Sequence, residues 1–571
     1  MSQSCDDHNN KPALQPSIIL GLSRRDFLQA TVAMAGSVLL PSCGGGSGGG
    51  SVGGSVGGSS PSPDSALPPP LFANIKNLVV VMFENRSFDN LLGYLYSQGA
   101  TPANWNGAPI PPPVPLAPDG KPQQFAGVWQ LGNTTSPCKG TAGCNTHSGS
   151  TALAYPYPTG TDNLPAPDPY EPWEHVRTQV FGIDRALEPG DKPTMSGFLR
   201  NYADRLLSYT PALTLPPKAS VIMGCYTPDQ LPVLSALAQN FAVFDHWYCA
   251  VPSQTYCNRA FFHASTSYGY VTNSLWTKWE TAPANNNTIF DVLEKQSSKP
   301  DAPWGVYFSG SDPGMYTATG DPDNSTVTDY VGLTGLVHYD VGTKYGPSIY
   351  PNKDKVANAP QRFFGFDQFF SDVANGNLPQ YTFIETLGGS LEFPPFLPDP
   401  PPKKSFDYHP PKPPGDGGNG TRSVLNGEEV LRQIYEAIRT SGANGAHDYT
   451  QDTMLLVVFD EHGGTYDHIP PPKGIPPGGN SPPESPDFNF DWLGVRVPAI
   501  AISSYTMPGT IINDEMHHAA VIKTLLKMNP GAVTHLTERD KPPTVADLSL
   551  ACNGARSSIS APWPEIKKTV V

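Results

Sequence analysis

The sequence NLVVVMF occupies residues 77–83, and ENRSFDNLLG follows it directly at residues 84–93. An unbroken run of β-branched and apolar residues is typical of a strand that is covered on both faces of a sheet. In the second segment, Phe88, Leu91 and Leu92 fall at the spacing of one helix face. The sequence therefore predicts a buried strand that ends at Glu84 and Asn85 and leads into a helix.

A second apolar run, MLLVVF at residues 454–459, also ends in acidic residues, Asp460 and Glu461. A helix with apolar residues along one face is predicted before it, over residues 428–440. Shorter strands are predicted at residues 243–244, 305–308, 381–384 and 497–502. Strands that alternate with helices favour an α/β fold. We predict a three-layer α/β/α sandwich with a mostly parallel central sheet and long Pro/Gly-rich loops.

The N-terminal segment has the features of an export signal. Residues 23–28 read SRRDFL, a twin-arginine pattern, and the apolar stretch 27–40 is too short for a transmembrane helix. We predict a twin-arginine signal over residues 1–43, of lipoprotein type if Cys43 is lipidated, and a Gly/Ser/Pro-rich linker over residues 44–73. One domain should follow over residues 74–571, with an insertion around residues 104–168. We therefore expect export by the twin-arginine machinery to the periplasm, cell surface or medium, with or without a membrane tether through Cys43.

Charge and cysteine content exclude some classes of function. The formal net charge is −15, whereas proteins that bind nucleic acid carry an excess of Lys and Arg. Outside the signal, the close pair Cys138 and Cys144 is the best candidate for a disulfide. The cysteine spacings do not match a zinc-thiolate site.

The acidic residues after the two apolar runs predict a binding site. Ligands of open α/β sheets bind beyond the carboxyl ends of the strands, so Glu84, Asn85, Asp460 and Glu461 should face one crevice. Carboxylates in such a crevice repel one another unless a cation compensates, which favours a divalent metal of open identity. The alternative is that Glu84 and Asp460 only cap the helix or turn that follows.

Three further segments carry reactive side chains. Thr255 offers a hydroxyl nucleophile, and Asn258 and Arg259 behind it suit the oxygens of a phosphate group. His409 lies in a Pro-rich loop, and of the adjacent pair at the start of a helix, His517 and His518, we expect only one to line the site. Each of these residues taken alone could equally be structural.

Together these segments resemble the bacterial phosphoesterase family, which holds non-haemolytic-type phospholipases C and certain acid phosphatases and is related in fold to alkaline phosphatase. The similar motifs occur in family order at residues 80–93, 223–227, 251–259, 459–468, 495–500 and 517–518. The most specific are ENRSFD at residues 84–89 and DEHGG at residues 460–464.

The resemblance implies a role for each matching residue. It implies Thr255 as the nucleophile, with His409 and His518 on the phosphate or leaving-group side. The implied metal-binding set consists of Glu84, Asn85, Thr255, Asp460 and Glu461. Contacts to the substrate phosphate are implied or expected for Asn258, Arg259, His462, His468 and Glu171. Glu171 stands where many members carry a histidine, which is a departure from the family pattern.

The expected function is that of an exported, metal-dependent phosphoesterase. Phospholipase C-type hydrolysis of phospholipid phosphodiesters through a phospho-threonine is the first expectation. An acid phosphatase on the same scaffold, acting on small phosphate monoesters, is the first alternative. A non-catalytic surface lipoprotein that retains the fold is the second. A serine esterase is excluded because no G-x-S-x-G serine follows a strand.

Overall fold

The computed structural model describes residues 71–97, 101–107, 156–209, 219–273, 279, 288–308, 332–346, 358–386, 407–411, 422–443, 445–479, 483–556 and 562–566. The chain divides into the units 1–61 and 62–571, and all described residues belong to the second unit. The predicted export signal, most of the predicted linker and the pair Cys138 and Cys144 lie outside the described residues.

The described residues form twelve strands and eleven α-helices in a mixed order. The strands are β1 (Asn77–Phe83), β2 (Tyr157–Pro158), β3 (Gly224–Cys225), β4 (Ala242–Phe244), β5 (Trp247–Tyr248), β6 (Trp304–Phe308), β7 (Phe363–Gly365), β8 (Tyr381–Glu385), β9 (Thr453–Phe459), β10 (Ala499–Ile502), β11 (Thr510–Ile512) and β12 (Met516–His517). The helices are α1 (Phe88–Leu92), α2 (Trp173–Phe181), α3 (Phe198–Tyr209), α4 (Pro232–Asn240), α5 (Thr255–Ala264), α6 (Ile289–Gln296), α7 (Gly332–Val337), α8 (Tyr339–Tyr345), α9 (Phe366–Asn375), α10 (Val424–Arg439) and α11 (Ala519–Met528). Short 3-10 helices span Phe72–Asn74, Ala219–Met223 and Leu548–Ala551.

The eight-stranded central sheet has the order β11-β4-β10-β9-β1-β8-β6-β7. Strand β10 runs antiparallel to β4 and β9, and the other neighbouring pairs are parallel. Strand β1 lies between β9 and β8, with Phe83 opposite Phe459 and Met82 opposite Glu385. The carboxyl ends of these three strands therefore meet at one edge of the sheet.

Helices cover the sheet and confirm the predicted α/β fold with a mostly parallel sheet. Helices α4, α9 and α10 contact one another in one group, and α5, α6 and α11 in another. All seven residues of β1 and of β9 are buried, as their unbroken apolar sequences predicted. A strand that is covered on both faces has no position for a polar side chain, so polar residues first occur where the strand ends.

Element boundaries differ from the prediction for local reasons. Helix α10 begins at Val424, before the predicted start, because the Ser423 side chain accepts a hydrogen bond from the backbone N–H of Leu425 and caps the helix. Strands β7 and β11 are only three residues long and were not predicted. Periodicity carries little information over so short a length.

Two sequence expectations concern membranes and disulfides. A transmembrane span is found in none of the described helices, each of which is too short or too polar to cross a bilayer. No disulfide forms among the described cysteines, and Cys225, Cys249, Cys257 and Cys552 are buried thiols.

Candidate active site

Buried acidic residues from four parts of the chain meet at the carboxyl ends of β1 and β9. We call the set Glu84, Asn85, Glu171, Asp407, Asp460 and Glu461 the strand-end cluster. Asn85 has a left-handed backbone, with φ of 62°, and its N–H donates to Asp460 Oδ1 over 3.2 Å. Asparagine tolerates this conformation better than most residues. The turn after β1 is thereby tied to the turn after β9.

Two loops bring further carboxylates to the strand-end cluster. Asp407 Oδ1 accepts a hydrogen bond of 3.0 Å from the backbone N–H of Glu84. The Glu171 carboxylate accepts a hydrogen bond from the Asn85 side-chain amide. Asp407 was not predicted as a site residue. Its position two residues before His409, which was predicted, could have indicated that it lies near the site.

Several oxygen atoms of the strand-end cluster are buried without a hydrogen bond from the described residues. These atoms are Asn85 Oδ1, Asp407 Oδ2, Asp460 Oδ2 and Glu461 Oε1. Asp460 Oδ2 has only an ionic contact, at 3.4 Å from Arg259 Nε. Buried acceptors without a donor are costly, and carboxylate and amide oxygens are the ligands that hard divalent cations prefer. The residues present therefore fit a divalent metal.

The charges in the strand-end cluster are poorly balanced. Burial raises the pKa of Glu84, Glu171 and Glu461, and neighbouring carboxylates raise it further. Burial also raises the pKa of Asp407 to about 7. Arg259 counteracts this repulsion, since its guanidinium lies 3.1 Å from Glu84 Oε1. A bound cation would relieve the remaining repulsion.

Thr255 is the first residue of helix α5, which is ten residues long. Its residue exposure is 7 %, and its hydroxyl makes no hydrogen bond with the described part of the chain. Arg259 lies one helical turn later and contacts Glu84 and Asp460, so the same face of α5 turns Thr255 toward the strand-end cluster. The N-terminus of a helix also stabilises negative charge.

Asn258 and Arg259 are fully buried and held by protein groups. The Asn258 amide donates to the Ser253 carbonyl over 2.8 Å, and its oxygen accepts from the Val251 N–H over 3.1 Å. These bonds shape the loop that precedes Thr255. Arg259 also lies 3.5 Å from Glu385 at the end of β8. The contact of Asn258 and Arg259 with a phosphate group stays a prediction.

His409 lies at the edge of the strand-end cluster, and its side chain is 18 % exposed. Its Nδ1 is 2.6 Å from the Pro410 carbonyl, and its Nε2 is 3.9 Å from Asp168 Oδ2. Ligand atoms of Asp168, Glu171 and His409 lie within 4.8 Å of one another, a spacing that could hold a metal ion. Asp168 was not predicted as a site residue.

His518 and His462 are both fully enclosed. His518 Nδ1 accepts from Trp247 Nε1 over 3.2 Å, so its Nε2–H donates to the Asp460 carbonyl over 2.6 Å. Burial lowers the pKa of His518 to about 4 and that of His462 to about 3. His462 Nε2 lies 2.8 Å from Gln179 Oε1. Both rings are therefore neutral and support the chain beside Asp460 and Glu461.

His468 belongs to a different group of charges, which we call the arginine-paired cluster: Asp89, Asp467, His468 and Arg496. The Arg496 guanidinium lies 3.0 Å from Asp89 Oδ1 and 2.9 Å from Asp467 Oδ1. His468 Nδ1 lies 2.6 Å from Asp89 Oδ2. Asp89, Asp467 and His468 also have the spacing of metal ligands, but Arg496 already supplies the positive charge there. The predicted phosphate contact of His468 stays a prediction.

The chain matches one protein family and is similar in sequence to several named proteins. The phosphoesterase family model matches residues 75–529. Non-specific phospholipase C6 of Arabidopsis thaliana is 28% identical, over 82% of this chain and 70% of that protein. Phospholipase C B of Mycobacterium tuberculosis is 24% identical, over 84% of this chain and 78% of that protein.

Solved structures resemble the chain only distantly. A protein of the alkaline phosphatase superfamily from Vibrio parahaemolyticus has a TM-score of 0.28 and 13% identity, over 55% of this chain and 63% of that one. The family match covers both strand ends, helix α5 and the arginine-paired cluster. The chain therefore belongs to the phosphoesterase family and is a hydrolase that acts on phosphoric ester bonds.

Proposed function

We propose that this protein is an exported, divalent-metal-dependent phospholipase C that cleaves phospholipid phosphodiesters with Thr255 as the nucleophile. The observation that carries the proposal is the set of buried oxygen atoms at the carboxyl ends of β1 and β9 that accept no hydrogen bond from the described residues, beside the contacts of Arg259 in α5. The names of the relatives in Arabidopsis thaliana and Mycobacterium tuberculosis support the substrate class. The twin-arginine pattern at residues 23–28 supports export.

A divalent metal would be held by Glu84, Asn85, Asp460 and Glu461 together with the Thr255 hydroxyl. When bound, it would supply Lewis-acid stabilisation of the negative charge that develops on the reacting oxygens. Arg259 favours the ionised forms of Glu84 and Asp460, because its guanidinium lies 3.1 Å from Glu84 Oε1 and 3.4 Å from Asp460 Oδ2. His518 fixes the backbone of Asp460 through the bond to its carbonyl.

Thr255 would attack phosphorus while the ester bond to the alcohol breaks on the opposite side. The Thr255 hydroxyl loses its proton to solvent as its oxygen forms the new bond to phosphorus, and the alcohol oxygen leaves with the bonding electrons and takes up a proton. His409 suits the proton transfer better than His518, since its side chain is partly exposed and both ring nitrogens of His518 are engaged. Water then hydrolyses the phospho-threonine and regenerates the hydroxyl.

The test compares wild type, Thr255→Ala and Thr255→Ser, with and without a chelator. Substrates are phosphatidylcholine, p-nitrophenyl phosphocholine and p-nitrophenyl phosphate. We expect phosphocholine release that a chelator abolishes, that Thr255→Ala lowers by on the order of 10³-fold and that Thr255→Ser largely restores.

The other outcomes separate the alternatives. Phosphate release from p-nitrophenyl phosphate alone would identify an acid phosphatase on the same scaffold. Full activity of Thr255→Ala would exclude Thr255 as the nucleophile. A failure to turn over any ester with several divalent metals would favour a non-catalytic surface lipoprotein.

Export has its own test. Replacing both Arg24 and Arg25 by Lys should leave the protein in the cytoplasm, as cell fractionation would show. Normal export of that double variant would contradict the twin-arginine assignment.

A further inference from the structure

A cavity of about 480 Å³ lies beside the candidate active site. Its walls include Leu164, Leu206, Val221 and the rings of Tyr157 and Tyr226, and none of its lining residues is charged. This is unusual for a protein whose formal net charge is −15 and whose neighbouring site is rich in carboxylates. Cavities of this size with mostly apolar walls are typical of small-molecule sites.

Chain connections join the cavity to the strand-end cluster. Ala166 lines the cavity two residues before Asp168, which shares a group of ligand atoms with Glu171. Arg205 Nε donates to the Asp168 carbonyl over 2.7 Å, and the next residue, Leu206, lines the cavity.

Arg86 connects the two sites at a second point. Its side chain is fully buried, and its two terminal amino groups donate no hydrogen bond to the described residues. Its Nε donates to the carbonyl of Tyr408, the residue after Asp407, over 2.8 Å, and Tyr226 of the cavity wall lies near its guanidinium. The cavity therefore lies next to the candidate active site.

One polar atom of a wall residue, Asn90 Oδ1, has no hydrogen-bond partner among the described residues. Asn90 lines the cavity, its side-chain N–H donates to the Gly224 carbonyl over 2.7 Å, and its Oδ1 is buried without a hydrogen bond. An unpartnered acceptor among apolar walls suits a ligand that combines hydrocarbon with a hydroxyl group. Aromatic rings such as those of Tyr157 and Tyr226 also bind quaternary ammonium groups, so the experiment below includes an outcome that assigns the cavity to the head group.

We infer that this cavity binds the apolar alcohol side of the ester, which for a phospholipid is the diacylglycerol that leaves. The inference rests on the proposed phosphoesterase function and names the part of the substrate that lies next to the reacting phosphate. Burial of the first methylenes of the acyl chains would then increase kcat/KM with chain length.

The experiment uses the full chain and two lipids, dibutyryl- and dihexanoyl-phosphatidylcholine, kept as monomers below their micelle concentrations. Wild type should prefer the dihexanoyl lipid by kcat/KM. Val221→Asp introduces a charge into the wall at a residue that is 37 % exposed, so folding should tolerate it. We expect this variant to reduce the preference about tenfold. Leu550→Asp is the matched control, because Leu550 is 39 % exposed and lies outside the cavity, and the preference should not change.

A second measurement tests the same cavity if the protein hydrolyses only phosphate monoesters. 1,2-Dihexanoylglycerol should competitively inhibit hydrolysis of p-nitrophenyl phosphate by wild type, and about tenfold more weakly for Val221→Asp. Inhibition that is equal in both proteins, or absent from wild type, would overturn the inference.

The remaining outcomes distinguish the two proposals. Hydrolysis without any dependence on acyl length would overturn the cavity assignment and leave the phosphoesterase proposal intact. A change by Val221→Asp in the choice between choline and ethanolamine head groups, with the chain-length preference unchanged, would assign the cavity to the head group. Failure to hydrolyse any ester would refute the proposed function itself.

Discussion

The strand-end cluster and the arginine-paired cluster share the two sequence segments 84–89 and 460–468 but differ in how their charges are balanced. In the arginine-paired cluster, both oxygens of Asp89 and of Asp467 have partners, and Arg496 and His468 offset the two negative charges. In the strand-end cluster, buried oxygens of Asp407, Asp460 and Glu461 lack hydrogen bonds.

The difference shows what separates a structural acidic group from a candidate metal site. Both clusters contain closely spaced carboxylates, and ligand spacing alone even selects Asp89, Asp467 and His468. What distinguishes them is whether the chain itself provides the cation. In the arginine-paired cluster, Arg496 provides the cation, and the carboxylates hold the loop after β9 against α1. In the strand-end cluster, the chain does not provide sufficient positive charge, so the carboxylate oxygens remain available for a ligand.

The largest expected effect is that of Glu461→Gln on turnover. The change keeps the shape of the side chain and removes the negative charge of a carboxylate whose Oε1 has no hydrogen bond from the described residues. We expect kcat on p-nitrophenyl phosphate or p-nitrophenyl phosphocholine to fall on the order of 10³-fold. Thermal unfolding should not shift downward, because the variant relieves repulsion among buried carboxylates.

Asp467→Asn provides the opposite control within the arginine-paired cluster. It should lower the unfolding temperature, since Arg496 loses one of its two carboxylate partners. The folded fraction should keep most of its turnover. Retention of more than about a tenth of the activity by Glu461→Gln would break the distinction between the two clusters.

Arg496→Met should have the largest effect on stability. The variant leaves Asp89 and Asp467 buried without their cation, which typically costs about 3–5 kcal/mol in the free energy of unfolding. Urea unfolding measures this loss. Arg185→Met, which removes an exposed pair with Asp191, should change stability little. A loss for Arg496→Met that is no larger than for Arg185→Met would show that the arginine-paired cluster is not held by its charges.

The smallest effect concerns the pH dependence of the His468 contribution. Burial acts to lower the pKa of His468, but the adjacent Asp89 carboxylate raises it above the ordinary value. Below the ordinary histidine pKa of about 6.5 the ring is charged in the folded and the unfolded chain, so the ion pair contributes fully. As the pH rises through the raised pKa of the folded state, that contribution is lost.

This dependence is measurable as a difference between two proteins. The gap in unfolding free energy between wild type and His468→Gln should be largest below the ordinary histidine pKa of about 6.5 and should narrow as the pH rises above it. A gap that stays constant with pH would mean that His468 acts through packing and not through its charge.

Part of this site could be predicted because it depends on local sequence. Glu84 and Asp460 each follow an apolar run, and parallel strands in register bring such ends together. Asp407 escaped the prediction because it reaches Glu84 from a loop far along the chain, and no local pattern tells where that loop lies. His518 was predicted as a site residue from the family resemblance, but its contacts with Trp247 and the Asp460 carbonyl depend on distant packing in the same way.

The sequence by itself determined the α/β class, the two central strands and the acidic residues at their ends. It could do so because an apolar run of six residues is stable only when it is buried on both faces, and the polar residues after it must then lie at the strand end. Only the tertiary structure decided which carboxylates receive a partner. That outcome depends on where distant residues such as Arg496 and Arg259 lie after folding, and the electrostatic interaction falls off with the distance between them.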